Sequence, residues 1–178
     1  MGDTPARLLW LNGAPFVGKR TLAARLRDQW GATVLDAEAV GATLRNGLPA
    51  SLDPGDLQSL GMWLWTMWRL GIQMARTYPL TVMTADLHQP AAVADLVARY
   101  READVDVLHV VLDADPSDLR ARIHHSDVDR DAKRRALEHM SPGVDSLAGL
   151  HDGIRLDTTG RTPEQTATDL QHALVRHG

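Results

Sequence analysis

Gly13-Ala14-Pro15-Phe16-Val17-Gly18-Lys19-Arg20-Thr21 carries a G-x-x-x-x-G-K core. The apolar run Leu8-Leu9-Trp10-Leu11-Asn12 precedes it and predicts a buried strand. Leu22, Leu26 and Trp30 follow at helical spacing and predict a helix over Lys19 to Trp30, with all three on one face. Strand, glycine loop and helix N-terminus in that order are what a phosphate-binding loop requires. The glycines let the backbone turn its N–H groups inward, and the helix end adds positive partial charge. Gly13 to Thr21 are therefore the candidate nucleotide-binding residues, with Lys19 reaching the outer phosphates from a solvent-facing position.

The rest of the chain repeats the alternation. Thr33-Val34-Leu35 is a second short strand ending at Asp36, and a helix follows from Glu38 to Arg45 with a stop at Asn46-Gly47. Loop composition over 47–56 leads to a long helix from about Leu57 to Arg76. Leu80 to Met83, Val107 to Leu112 and Ile154 to Leu156 complete five strands, with a helix opening at Pro90 between the first two of these. Asp115-Pro116 reads as N-cap and first-turn proline, and Thr162-Pro163-Glu164-Gln165 as a capping box. An arginine-rich stretch from His124 to His139 is expected to end in a Pro/Gly loop. Strands alternating with helices predict a parallel sheet covered on both faces, and no linker divides residues 1–178.

Composition narrows the function classes. The 178 residues are 44% hydrophobic and 24% charged, which excludes intrinsic disorder. With no cysteine, thiol catalysis and thiolate metal sites are excluded. A net charge of −4, and no basic run beyond Lys133-Arg134-Arg135, argue against sequence-independent nucleic-acid binding. No apolar run approaches the roughly 20 residues that span a bilayer, and the N-terminus lacks a signal pattern, so the expected location is the cytoplasm.

The chain resembles the tunicamycin-resistance family of small P-loop kinases and, more distantly, chloramphenicol phosphotransferase and adenylate-kinase-like enzymes. The resemblance runs from Leu9 to about Leu174. It is carried by Trp10 to Ala14, Val17-Gly18-Lys19, Leu44-Arg45, Asp56 to Ser59 with Trp63, His88 near Pro90, Leu119 to Ile123, and Ile154 to Thr159. It implies a nucleoside-kinase-like α/β fold, five parallel strands in a three-layer arrangement, and a mobile lid near 124–140. The residue after the loop lysine departs from the usual Ser or Thr magnesium ligand. It is Arg20, and Thr21 follows, as a threonine does in adenylate-kinase-like enzymes, so the metal is expected to be held through Thr21 or mainly by water and phosphate.

Ligands of such sheets gather beyond the C-terminal strand ends, which singles out Asp36, Asp86 and Asp113. Phosphoryl transfer needs a carboxylate to take the acceptor proton and positive charge on the equatorial oxygens. Asp36 is the choice for the carboxylate, in keeping with the aspartate of chloramphenicol phosphotransferase there; a helix cap is its other reading, and Glu38 lies two residues on. Asp86 is a candidate for the substrate or for the water shell of magnesium, or is an ordinary loop aspartate, and Asp113 reads best as a cap. By the resemblance, Arg122 matches the arginine that stacks over the base, while the next lid arginine would fall at Ser126 and is missing. Arg130, Arg134 and Arg135 are lid candidates for the transferring phosphate, or solvated helix charges.

Arg45 and Trp63 complete the candidate acceptor site. Trp63, Trp65 and Trp68 cannot all face one way, so core packing and a pocket wall both stay open. The resulting expectation is a phosphotransferase using ATP or GTP with Mg2+ on a hydroxyl of an antibiotic or nucleoside-like molecule, as a monomer or homodimer. A drug-sequestering protein without transfer and a housekeeping nucleotide or cofactor-precursor kinase are the rivals.

Overall fold

The computed structural model describes residues 6–52, 59, 61–148 and 153–177. Five parallel strands lie in the order β2-β3-β1-β4-β5. They are β1 (Ala6–Gly13), β2 (Thr33–Asp36), β3 (Thr81–Ala85), β4 (Val105–Asp113) and β5 (Ile154–Asp157). The helices are α1 (Lys19–Trp30), α2 (Ala37–Asn46), α3 (Gly61–Thr77), α4 (Pro90–Glu102), α5 (Pro116–His125), α6 (Arg130–Ala148) and α7 (Pro163–His177). Among the described residues, no helix is long and apolar enough to cross a membrane.

The apolar run of β1 is continuous because the strand is central and covered on both faces. Its side chains alternate between two cores. Leu9 and Leu11 pack with Leu22, Leu26, Leu119, Ile123 and Leu170. Leu8 and Trp10 pack with Trp63, Met67, Leu96 and Tyr100. Each such side chain removed from water contributes about 1.5–3 kcal/mol before entropy is counted.

Local signals end the helices as their chemistry demands. Gly31 closes α1 in the left-handed region at φ 66, and Gly47 closes α2. Asp115 accepts from the Ser117 amide at 2.7 Å to cap α5. In the capping box of α7, Gln165 accepts from the Thr162 amide at 2.9 Å while Thr162 Oγ1 accepts from the Gln165 amide at 3.3 Å.

Two expectations need correction. Trp30 does not share the buried face of Leu22 and Leu26: it is exposed, because steps of four residues drift by about 40° each around the helix. The Pro/Gly loop expected after His139 is helical instead, since α6 continues through Pro142 and Gly143 to Ala148. The apolar spacing Ala136, Met140, Val144 and Leu147 runs on across the proline and favours a continued helix. The expected start of the long helix at Leu57, and Asp56 to Gln58, lie outside the described residues.

Candidate functional site

The register aligns the strand ends on one side of the sheet. Asn12 pairs with Ala85 and Val111, Gly13 with Leu112, Asp36 with Thr84, and Asp113 with Asp157. The loop from Gly13 to Gly18 leaves β1 at the centre of that edge. Gly13 has φ 145, and a Cβ there would stand 2.5 Å from the Leu112 carbonyl oxygen. Gly18 has φ 105, and Phe16, unusually for an aromatic residue, has φ 63. Positive-φ residues in such a turn point successive N–H groups into one concavity, an anion nest at the start of α1.

Lys19 is 5% exposed, so the expected solvent-facing position is corrected. Its ammonium donates to the carbonyls of Gly13 at 2.6 Å and Ala14 at 3.0 Å and lies 3.7 Å from Glu38 Oε1. The loop thus holds its own lysine over the nest.

Asp36 ends β2 and caps α2. Its Oδ1 accepts from the amides of Glu38 at 3.0 Å and Ala39 at 3.1 Å, while Arg20 Nε lies 2.8 Å from Oδ2. Arg20 Nη2 also lies 3.4 Å from Glu38 Oε2. Two cations of the loop and two carboxylates beyond β2 therefore meet in one network, and Glu38 belongs to it as closely as Asp36.

On the other side of the loop a cavity of about 240 Å³ is lined by Phe16, Gly18, Thr21, Arg122, Thr158 and Arg161, among others. Arg122 donates to the carbonyls of Val17 at 3.2 Å and Thr158 at 2.5 Å and pairs with Asp118 at 2.7 Å. Buried Thr158 donates through Oγ1 to Val17 O at 3.2 Å. Sequence reasoning missed Thr158 and Arg161; the Thr-Thr-Gly turn after β5 was their only local signal.

Direct coordination of Mg2+ asks for hard oxygens converging on one point. Position 20 supplies a guanidinium, and Thr21 faces the cavity with Arg122, whose lining includes neither Asp36 nor Glu38. Among the described residues no cluster of three or more His, Asp or Glu forms. Thr21 carries the hydroxyl of the segment 13–21 and is the group there that would hold Mg2+ directly, with phosphate oxygens and water completing its shell.

Trp63 is 2% exposed and donates its indole N–H to Ala37 O at 2.7 Å. It is a core residue pinning the corner that carries Asp36, not a pocket wall. Trp65 is exposed and Trp68 half-buried beside it, in a groove between α3 and α4, where the Arg69 and Arg99 guanidinium carbons lie 5.5 and 5.4 Å from the Trp68 ring centre. Asp86 follows β3 directly and is half-buried, as is Arg45 in the last turn of α2. Asp113 accepts from the Ala114 amide at 3.0 Å and pairs with Arg155 at 3.0 Å. Of the lid candidates, Arg130 opens α6, Arg134 pairs with Asp131 and Glu138 of its own helix, and Arg135 is exposed.

Comparison with known proteins agrees with the fold. A family model described as an AAA domain matches residues 8–147. The structure is similar to the tunicamycin resistance protein of Deinococcus radiodurans, at 21% identity and TM-score 0.70, covering 97% of this chain and 95% of that one. It is also similar to the APS kinase of Mycobacterium tuberculosis, at 21% identity and TM-score 0.63, covering 96% and 98%. A sugar kinase from Janibacter sp. matches at 20% identity and TM-score 0.64, covering 96% and 95%. A search of curated proteins finds no match.

Proposed function

Because the chain belongs to the AAA-domain family and has a P-loop kinase-like fold, we propose that it transfers the γ-phosphoryl group of ATP or GTP to a hydroxyl of a small molecule. The observation that carries this reading is the meeting of Lys19 and Arg20 with the carboxylates of Glu38 and Asp36 beyond β2. The loop amides and Lys19 hold the phosphates, and Arg122, Arg161 and Phe16 surround the base in the neighbouring cavity. Asp36 takes the proton of the acceptor hydroxyl. Its Oδ1 is oriented by two amides of α2, which leaves Oδ2 as the basic atom. The acceptor sits between Asp36, Arg45 and Asp86, and the α6 arginines Arg130 and Arg134 approach the transferring phosphate when the segment closes. The likeness to a tunicamycin resistance protein favours an antibiotic or nucleoside-like acceptor.

Arg20 in place of a hydroxyl favours a second reading, a nucleotide-dependent protein that retains a drug without modifying it. Incubation with γ-labelled ATP or GTP and a panel of nucleoside and phenylpropanoid antibiotics separates the two. Label on a drug supports the kinase; drug retained without label supports sequestration.

A further inference from the structure

Arg20 is the loop residue that the phosphate-binding pattern does not account for. Its guanidinium takes both oxygens of Asp36, at 2.8 Å through Nε and 3.4 Å through Nη2, and reaches Glu38 at 3.4 Å. Lys19 approaches the other oxygen of Glu38 at 3.7 Å. The Glu38 carboxylate is thus an anion held between a loop lysine and a loop arginine, which makes these two cations a pair that can grip an anion jointly.

The Arg20 side chain is 63% exposed, so its pairing with the carboxylates is screened by water and exchanges readily. A terminal phosphate carries more charge than a carboxylate and offers a guanidinium two parallel hydrogen bonds. We propose that Arg20 is a catalytic arginine carried on the phosphate loop itself, parked on Asp36 and Glu38 until a γ-phosphate enters and then moved onto that phosphate. The inference rests on the phosphotransferase reading and deepens it.

The step balances. The acceptor oxygen forms a bond to Pγ as the bond from Pγ to the β–γ bridging oxygen breaks, and the nucleoside diphosphate leaves with that electron pair. The hydroxyl proton goes to Asp36 Oδ2, the atom Arg20 vacates. Charge on the equatorial oxygens is met by the arriving guanidinium, so the base is uncovered only when the group to be transferred is in place.

The test titrates wild type and Arg20→Ala with Mg2+ complexes of ADP and of ATPγS, and follows ATP hydrolysis with water as acceptor. Wild type should prefer ATPγS over ADP by at least about tenfold. Arg20→Ala should bind ADP as before, lose that preference, and hydrolyse ATP at least about a hundredfold more slowly. An Arg20→Ala chain that keeps the ATPγS preference overturns the assignment of Arg20 and leaves the nucleotide site standing. A wild-type chain that binds neither nucleotide overturns the phosphotransferase reading, and this inference with it.

Discussion

Asn12 Nδ2 lies 3.1 Å from His109 Nε2, joining the end of β1 to β4 beneath the phosphate loop. The same amide nitrogen donates to Leu87 O at 2.8 Å, and Asn12 Oδ1 accepts from the amides of Gly13 at 2.9 Å and Leu87 at 3.0 Å. Asn12 therefore fixes the first residue of the loop against the segment after β3. Because Nε2 accepts from Asn12, the imidazole is neutral and carries its proton on Nδ1.

Burial pushes His109 down to about 4 from its ordinary 6.5. The unfolded chain binds this proton below pH 6.5 and the folded chain does not, so stability falls as pH drops from 6.5 toward 4 and is full above that window. The contribution is on the order of 3 kcal/mol. Urea unfolding across that range should show a steeper loss for wild type than for His109→Gln, which retains an acceptor for Asn12 without titrating. Parallel pH profiles would remove His109 as the source.

Gly71 faces the buried Tyr100, whose hydroxyl donates to Met67 O at 2.8 Å. A Cβ at position 71 would stand 2.8 Å from Tyr100 Cε1 and Cζ and closer still to its hydroxyl. Helix propensity alone would make Gly71→Ala stabilising by about 1 kcal/mol. The clash should win, with a net loss of about 1–3 kcal/mol of unfolding free energy, read as a lowered urea midpoint. A stabilised variant would show that α3 and α4 yield easily at this contact.

Lys19→Ala should abolish nucleotide binding while the chain still folds. It also takes the lysine donor from the buried carbonyl of Gly13 and leaves that of Ala14 with the Val17 amide at 3.3 Å. That costs about 1–3 kcal/mol, so the melting temperature should fall by several degrees. Nucleotide affinity equal to wild type, measured by calorimetry, would reject the phosphate role.

Thr21→Val should weaken magnesium dependence more than Arg20→Ser does, because Thr21 carries the hydroxyl of the segment 13–21. A magnesium titration of Thr21→Val that matches wild type would show that Thr21 is no ligand.

The parts legible in the sequence were those with local causes. Gly47, Asp115 and the Thr162–Gln165 box announced helix ends because each acts within a few residues. The loop was legible because its glycines, lysine and flanking elements are contiguous. Which face Trp63 takes was not: three tryptophans in six residues fit several orientations, and only the Ala37 carbonyl across the fold selects one. The shared grip of Lys19 and Arg20 on Glu38 was equally hidden, since it arises where α1 and the β2–α2 corner come together. Helix α6 outran its expected end because its apolar spacing outweighed Pro142.

Asp36→Asn separates the roles that meet at this residue. Asparagine caps a helix about as well as aspartate, so the amides of Glu38 and Ala39 keep their acceptor. The pairing with Arg20 is solvent-screened, and its loss should cost less than about 1 kcal/mol. The melting temperature should therefore move little. An amide cannot take the acceptor proton at neutral pH, and general-base assistance is worth about 10² to 10⁴ in rate. Turnover should fall at least about a hundredfold while acceptor affinity shifts far less, since only the transition state uses the transferred proton. Lost acceptor binding with normal turnover at saturation would instead make Asp36 a substrate ligand and pass the proton to Glu38. Wild-type turnover, affinity and melting together would leave Asp36 as the cap of α2 alone and end its part in the chemistry.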